Sequence, residues 1–152
     1  MKALDIVHRI LADADDKNHE KITLNVLMAV SHLSYSKAKN INMKLTDKSR
    51  VGVSSTEVIS TLKMFKPHNE CLRYVQPIDM NTAVIAAAFT LYMQGFVHFD
   101  ASDIENGLMP TPHGILVATQ LLIEDDVLNG IECPLVKDFK QAEREHNAIA
   151  NN

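Results

Sequence analysis

The sequence predicts a mainly α-helical domain that contains one small β-hairpin. Over most of the chain, apolar residues recur three and four positions apart, which is the spacing of one face of an α-helix. Residues 96–99 are instead aromatic and β-branched, and a polar loop separates them from the short apolar stretch 108–110. At 152 residues the chain matches the size of a single domain, so we expect one domain over residues 1–152.

The N-terminal part of the chain contains three predicted helices. A short apolar stripe predicts a helix over residues 3–15, and a stronger one predicts a buried helix over residues 19–33. The run Ser34-Tyr35-Ser36 can cap a third helix that extends to about residue 45. The polar stretch 46–52 then predicts an exposed loop.

A capping box opens the next predicted helix, over residues 54–66. Ser54 is followed three residues later by Glu57, and Pro67 ends the pattern. One face of this helix is apolar, and the other carries short polar or basic side chains, namely Ser55, Thr56, Ser60, Thr61 and Lys63. Residues 71–75 then predict a strand.

Helix stop and start signals frame the hairpin. An apolar helix over residues 81–94 should end at Gly95, which can adopt positive φ. The hairpin over residues 96–110 should be followed by a helix with Thr111 as N-cap and Pro112 in its first position.

Two further signals follow. The Asn-Gly pair at 129–130 should stop the helix that begins at Pro112, and Pro134 should open a charged terminal helix over residues 134–148. From the apolar stripes we expect four side chains, one on each of four helices, to be buried: Val26, Leu62, Phe89 and Leu122.

Residues 81–123 resemble the end of a winged helix-turn-helix domain. In both, a helix closes with a glycine and a hydrophobic residue, a hairpin follows, and the returning strand enters a Thr-Pro-x-Gly helix start. The resemblance implies a winged-helix-like core over about residues 20–123 with extra terminal helices at 3–15 and 134–148. It also implies a small regulatory protein that binds duplex DNA, with a homodimer formed through terminal helices.

Two assignments of the helix-turn-helix pair are open. Helices 35–45 and 54–66 form the first, although their connecting loop is long. Helices 54–66 and 81–94 form the second, which places the recognition helix directly before the wing. That helix contains no charged residue, and the wing at 100–106 has three acidic residues and no basic one, which disfavours contact with DNA.

The formal net charge of −4 is unevenly distributed. Residues 37–66 contain seven basic and two acidic residues, a net charge of +5, whereas residues 67–152 contain four basic and twelve acidic residues, a net charge of −8. The basic segment can be ordinary solvated surface or can bind phosphate. For DNA binding, the candidate residues are Lys37, Lys44, Lys48, Arg50, Ser55, Thr56, Ser60, Thr61, Lys63 and Lys66.

Other classes of function have less support. A Gly-rich phosphate loop, a nucleophile elbow and paired catalytic carboxylates are missing from the sequence, and its two cysteines lack a zinc-ligand pattern. We therefore expect no enzyme, no metal and no cofactor. The N-terminus lacks a secretory pattern and no apolar run would span a bilayer, so we expect a cytoplasmic protein without membrane contact.

Two alternatives to DNA binding are open. One is a protein-interaction module that uses the acidic C-terminal half or the uncharged helix 81–94. The other is a DNA-mimicking inhibitor whose acidic surface occupies a nucleic-acid-binding protein, which requires the acidic residues to cluster on one face.

Overall fold

A computed structural model describes residues 17–40, 51–65, 77–99, 107–125, 127–128 and 130–150. The elements in these ranges are α1 (Lys17–Asn40), α2 (Ser55–Leu62), α3 (Pro77–Met93), β1 (Val97–Phe99), β2 (Leu108–Pro110), α4 (Pro112–Asp125) and α5 (Pro134–Ala150). The predicted mainly helical fold with one small antiparallel hairpin is confirmed. The predicted helix 3–15, strand 71–75 and wing 100–106 lie outside the described residues.

Helix α1 is the central element of the fold. All ten residues from 22 to 31 are buried, so other parts of the protein surround the helix at this level. Helices α2, α3, α4 and α5 and strand β2 all pack against it. The largest buried side chains around it come from several elements: Leu62, Phe65, Leu91, Phe96 and Leu121.

The predicted helix start at residues 34–36 is wrong, because α1 runs without a break to Asn40. Ser34 is buried within the helix, and its hydroxyl donates a hydrogen bond of 2.7 Å to the carbonyl oxygen of Val51. Ala38, one turn later, is also buried, so core packing extends past the serines. In the helix-turn-helix pair of residues 35–45 and 54–66, residues 35–40 thus belong to the central helix rather than to a separate one, and residues 41–45 lie outside the described residues.

The predicted stop of α3 at Gly95 is confirmed. Gly95 has φ +78°, and its N–H donates to the carbonyl oxygen of Tyr92 at 3.1 Å. The N–H of Phe96 donates to the carbonyl oxygen of Leu91 at 2.9 Å. This pair of hydrogen bonds is a Schellman motif, which ends the helix and turns the chain into the hairpin.

The hairpin is antiparallel, and a third chain segment joins its second strand. Val97 pairs with Pro110 and Phe99 pairs with Leu108. Leu108 also forms a bridge to Val53, with backbone hydrogen bonds of 2.9 and 3.2 Å. The bridge fixes Val53, the residue before the N-cap of α2, against the hairpin.

Thr111 connects the beginning of α4 to the end of α3. Its hydroxyl accepts a hydrogen bond from the N–H of Gly114 at 3.0 Å, which confirms the predicted N-cap, and donates one to the carbonyl oxygen of Gly95 at 2.7 Å. Pro134 likewise begins α5, as the sequence predicts.

Three of the four predicted core residues are buried, and one is not. Val26, Leu62 and Leu122 are buried, whereas Phe89 is 50% exposed. Helix α3 is apolar around most of its circumference, so its apolar spacing does not identify the buried face. Its buried side includes two adjacent alanines, Ala87 and Ala88, whose small side chains let the helix approach its neighbours closely.

Candidate nucleic-acid interface

The capping box predicted at Ser54 is present and determines where α2 begins. The Ser54 hydroxyl accepts from the N–H of Glu57 at 3.1 Å, and the Glu57 carboxylate accepts from the N–H of Ser54 at 3.1 Å. Since these two bonds fix the first turn, Ser55 and Thr56 lie at the N-terminal end of the helix.

A groove runs along α2 and is completed by the N-terminal part of α3. Its volume is about 380 Å³. The residues that line this α2 groove are Ser54, Ser55, Thr56, Ile59, Ser60, Lys63 and Asn81. Four of the predicted DNA-binding residues, Ser55, Thr56, Ser60 and Lys63, thus line one site, and none of the described residues in its lining is acidic.

The α2 groove combines groups that suit an anionic ligand. The hydroxyls of Ser54, Ser55 and Thr56 lie at the N-terminal end of α2, where the backbone N–H groups and the helix dipole provide a partial positive charge, and Ser60 lies about one turn further along the helix. Lys63, at the C-cap of the same helix, contributes a full positive charge, and Asn81 contributes an amide. Thr61, another candidate, is buried rather than exposed on this surface.

The predicted DNA-binding residue Lys37 lies outside the α2 groove and forms an ion pair. Its ammonium is 2.6 Å from the carboxylate of Glu57. Burial raises the pKa of Glu57, but hydrogen bonds from Lys37 and Ser54 outweigh this effect and leave the pKa below its ordinary value. Lys37 therefore neutralises a carboxylate at the start of α2. The remaining basic candidates, Lys44, Lys48, Arg50 and Lys66, lie outside the described residues.

An exposed apolar surface occupies the solvent-facing side of α3. It consists of Ile85, Phe89, Tyr92 and Met93, which are 40%, 50%, 48% and 80% exposed. We call these four residues the α3 stripe. The sequence analysis missed the stripe because it placed Phe89 in the core. Apolar residues are distributed evenly around α3, and this pattern could have revealed the stripe. Because a helix at the edge of a core buries only one side, some of its apolar residues had to be exposed.

A histidine and a cysteine meet where α5 begins. His32 Nδ1 is 3.3 Å from Cys133 Sγ. Burial lowers the pKa of His32 and raises the pKa of Cys133, so both groups favour their neutral forms. A neutral thiol is a poor nucleophile, and this arrangement is typical of a structural cysteine.

The described ranges contain no group of three or more His, Cys, Asp or Glu residues suited to a metal ion. Of the helices that the structure describes, none is long and apolar enough to cross a membrane. No known protein-family model, curated protein or solved structure matches this chain.

Proposed function

We propose that this protein is a small cytoplasmic winged-helix regulator that binds duplex DNA, as a dimer, through the α2 groove. The observation that carries the proposal is the convergence of three serines, a threonine, an asparagine and a lysine on one groove, with no acidic side chain among the lining residues that the structure describes. Serine, threonine, asparagine and lysine side chains and helix N-termini are all among the groups that contact DNA phosphates.

The order of the elements supports this proposal. Helices α2 and α3 precede the hairpin, and α4 follows it with Thr111 as the cap and Gly114 in the first turn. This order is similar to that of a winged helix-turn-helix domain in which the recognition helix lies directly before the wing. Helix α3 then takes the position of the recognition helix, and α2 the position of the helix before it.

The composition of α3 limits the kind of DNA binding that we propose. Residues 81–94 contain no lysine or arginine, which are the side chains that most often read guanine. Among the lining residues within the described ranges, Asn81 is the one that carries an amide, and an asparagine can pair with adenine. We therefore expect phosphate contacts to dominate, with a strong salt dependence and little sequence preference.

The test is a fluorescence anisotropy titration with mixed-sequence duplexes at low and moderate salt. Lys63→Ala should weaken binding to every duplex and reduce the slope of log K against log salt by about 1, because one fewer counterion is released. Lys140→Ala is the matched control, since Lys140 is exposed on α5 and does not line the groove. Absence of binding by the wild type at low salt, or equal effects of the two variants, would contradict the proposal.

A second function is supported by the α3 stripe. Four large apolar side chains exposed along one side of a helix are typical of a surface that binds another protein. As a protein-interaction module, the chain would bind a partner through this stripe, and Phe89→Ala would weaken that complex without affecting the salt slope for DNA.

The third possibility, a DNA-mimicking inhibitor, has less support. It needs unpaired carboxylates that cluster on one face of the protein. In the structure, Glu57 and Asp138 each lie 2.6 Å from a lysine ammonium, and Glu132 lies 3.3 Å from one.

A further inference from the structure

A carboxylate lies next to one of the residues that line the α2 groove. Ser54 belongs to the lining, and its hydroxyl donates a hydrogen bond of 3.1 Å to the carboxylate of Glu57. Glu57 occupies the third position of α2 and is not among the described residues that line the groove. A negative charge this close to the lining would repel the phosphates that the groove is proposed to bind.

The helix dipole alone is too weak to offset this carboxylate. The free N–H groups at the N-terminus of a helix are equivalent to about half a positive charge. An ionised Glu57 carries a full negative charge at the same end of α2. If these were the two charges that acted there, the end of the helix beside the groove would be net negative, and a phosphate would not be attracted to it.

Lys37 of α1 reverses the sign of the charge at this end of α2. Its ammonium is 2.6 Å from the Glu57 carboxylate, so the two charges cancel and the partial positive charge of the helix end remains. The same ammonium donates to the carbonyl oxygen of Gly52 at 3.5 Å, and the Ser34 hydroxyl donates to that of Val51 at 2.7 Å. Helix α1 thus holds the segment before α2 at two points and keeps the ammonium beside the carboxylate.

We infer that Lys37 is a positioning residue for DNA binding, which makes the α2 groove attractive to phosphates by neutralising Glu57 and does not itself contact the DNA. This inference rests on the proposed function, duplex DNA binding through the α2 groove. It gives Lys37 a different role from the one that the sequence predicts, which is direct contact with DNA. It also identifies Glu57 as the residue that would exclude anions if Lys37 were lost.

Loss of the Lys37–Glu57 ion pair should affect DNA binding more than stability. The two side chains are 36% and 38% exposed, and ion pairs at this exposure contribute little to stability. Lys37→Met removes the charge and keeps an unbranched apolar chain. Glu57→Gln removes the opposite charge and keeps a side chain that completes a capping box. Both variants should therefore retain the helical circular dichroism signal of the wild type.

Fluorescence anisotropy with a mixed-sequence duplex at low salt tests this inference. Lys37→Met should weaken binding on the order of tenfold, the effect of an unpaired charge about 8 Å from a phosphate near a protein surface. Lys37→Arg preserves the positive charge and should bind as tightly as the wild type. The double variant K37M/E57Q lacks both charges, so it should regain the wild-type affinity and the wild-type slope of log K against log salt.

Lys39→Met is the matched control. Lys39 lies two residues after Lys37 on α1, and its ammonium is 2.6 Å from the carboxylate of Asp138 on α5. The control changes the net charge by the same amount and also leaves a carboxylate unpaired. Asp138 is not among the described residues that line the α2 groove, so K39M should weaken DNA binding much less than K37M. Lys37→Gln replaces K37M if the latter loses its helical circular dichroism signal.

Three outcomes overturn the inference and leave DNA binding in the α2 groove in place. They are wild-type affinity in K37M, an equal loss in K37M and K39M, and a double variant that stays as weak as K37M. In the third case a salt slope reduced by about 1 would show that Lys37 itself contacts a phosphate. Absence of binding by the wild type at low salt is a different result, which overturns DNA binding and the role of Lys37 together.

Discussion

Replacing Gly114 with alanine is expected to destabilise the protein by about 3 kcal/mol, the upper part of the range for overpacked sites. A Cβ atom at this position would overlap the carbonyl oxygen of Phe96 and lie 2.9 Å from its carbonyl carbon. Both are backbone atoms, and the Schellman motif and the hydrogen bond from Thr111 N to Phe96 O fix their position. Helix α4 would have to move away from the hairpin to admit the methyl group.

The direction of the stability change in Gly114→Ala distinguishes a steric clash, which destabilises, from helix propensity, which stabilises. In a helix that lacks such a contact, glycine to alanine stabilises by about 1 kcal/mol, because alanine has the higher helix propensity. Urea denaturation of the variant and the wild type gives the difference in unfolding free energy. Glu124→Ala, an exposed change on the same helix, should stay within about 0.5 kcal/mol of the wild type. A G114A variant as stable as the wild type would mean that α4 and the hairpin are not in close contact.

Leu62→Ala is expected to cost about 2 to 5 kcal/mol, as for other large-to-small changes in packed cores. Leu62 is 1% exposed at the C-terminal end of α2 and belongs to the main hydrophobic core. Phe89→Ala provides the comparison, because that side chain is 50% exposed. We expect a loss of about 1 kcal/mol there, since only part of the ring is removed from water in the folded state.

Chemical denaturation of Leu62→Ala and Phe89→Ala distinguishes a side chain in the core from one on the exposed side of α3. The two losses of unfolding free energy should be compared with each other. Both changes remove a large apolar side chain, so a difference between them reflects how deeply each side chain is buried. Equal losses would place Phe89 in the core and would remove the α3 stripe as a binding surface.

Local signals explain which parts of the fold could be predicted. The ends of elements depend on hydrogen bonds between residues close in sequence, as in the Schellman motif at Gly95 and the caps at Ser54 and Thr111. These positions were predicted correctly. The continuity of α1 through Ser34 depends instead on packing and on a bond to Val51, which is seventeen residues away.

In the candidate site, too, features that depend on residues close in sequence could be predicted, and features that depend on contacts between distant residues could not. The hydroxyls and Lys63 of the α2 groove lie on one short helix or at its ends. Their spacing in the sequence was therefore enough to predict that they share a surface. The contribution of Asn81 and the pairing of Lys37 with Glu57 depend on contacts between different elements. The exposed side of α3 could not be identified from spacing, because apolar residues also occupy its buried side.

NMR is the most direct test of duplex DNA binding in the α2 groove. A mixed-sequence duplex is added to ¹⁵N-labelled protein at low salt, and the amide chemical shifts are followed. If DNA binds in this groove, the shift changes concentrate at residues 54–63 and at Asn81, are smaller in the Lys63→Ala variant and are the same as wild type in Lys140→Ala. Unchanged amide chemical shifts at a large excess of DNA, or shift changes confined to residues 85–93 of α3, would contradict DNA binding in the α2 groove.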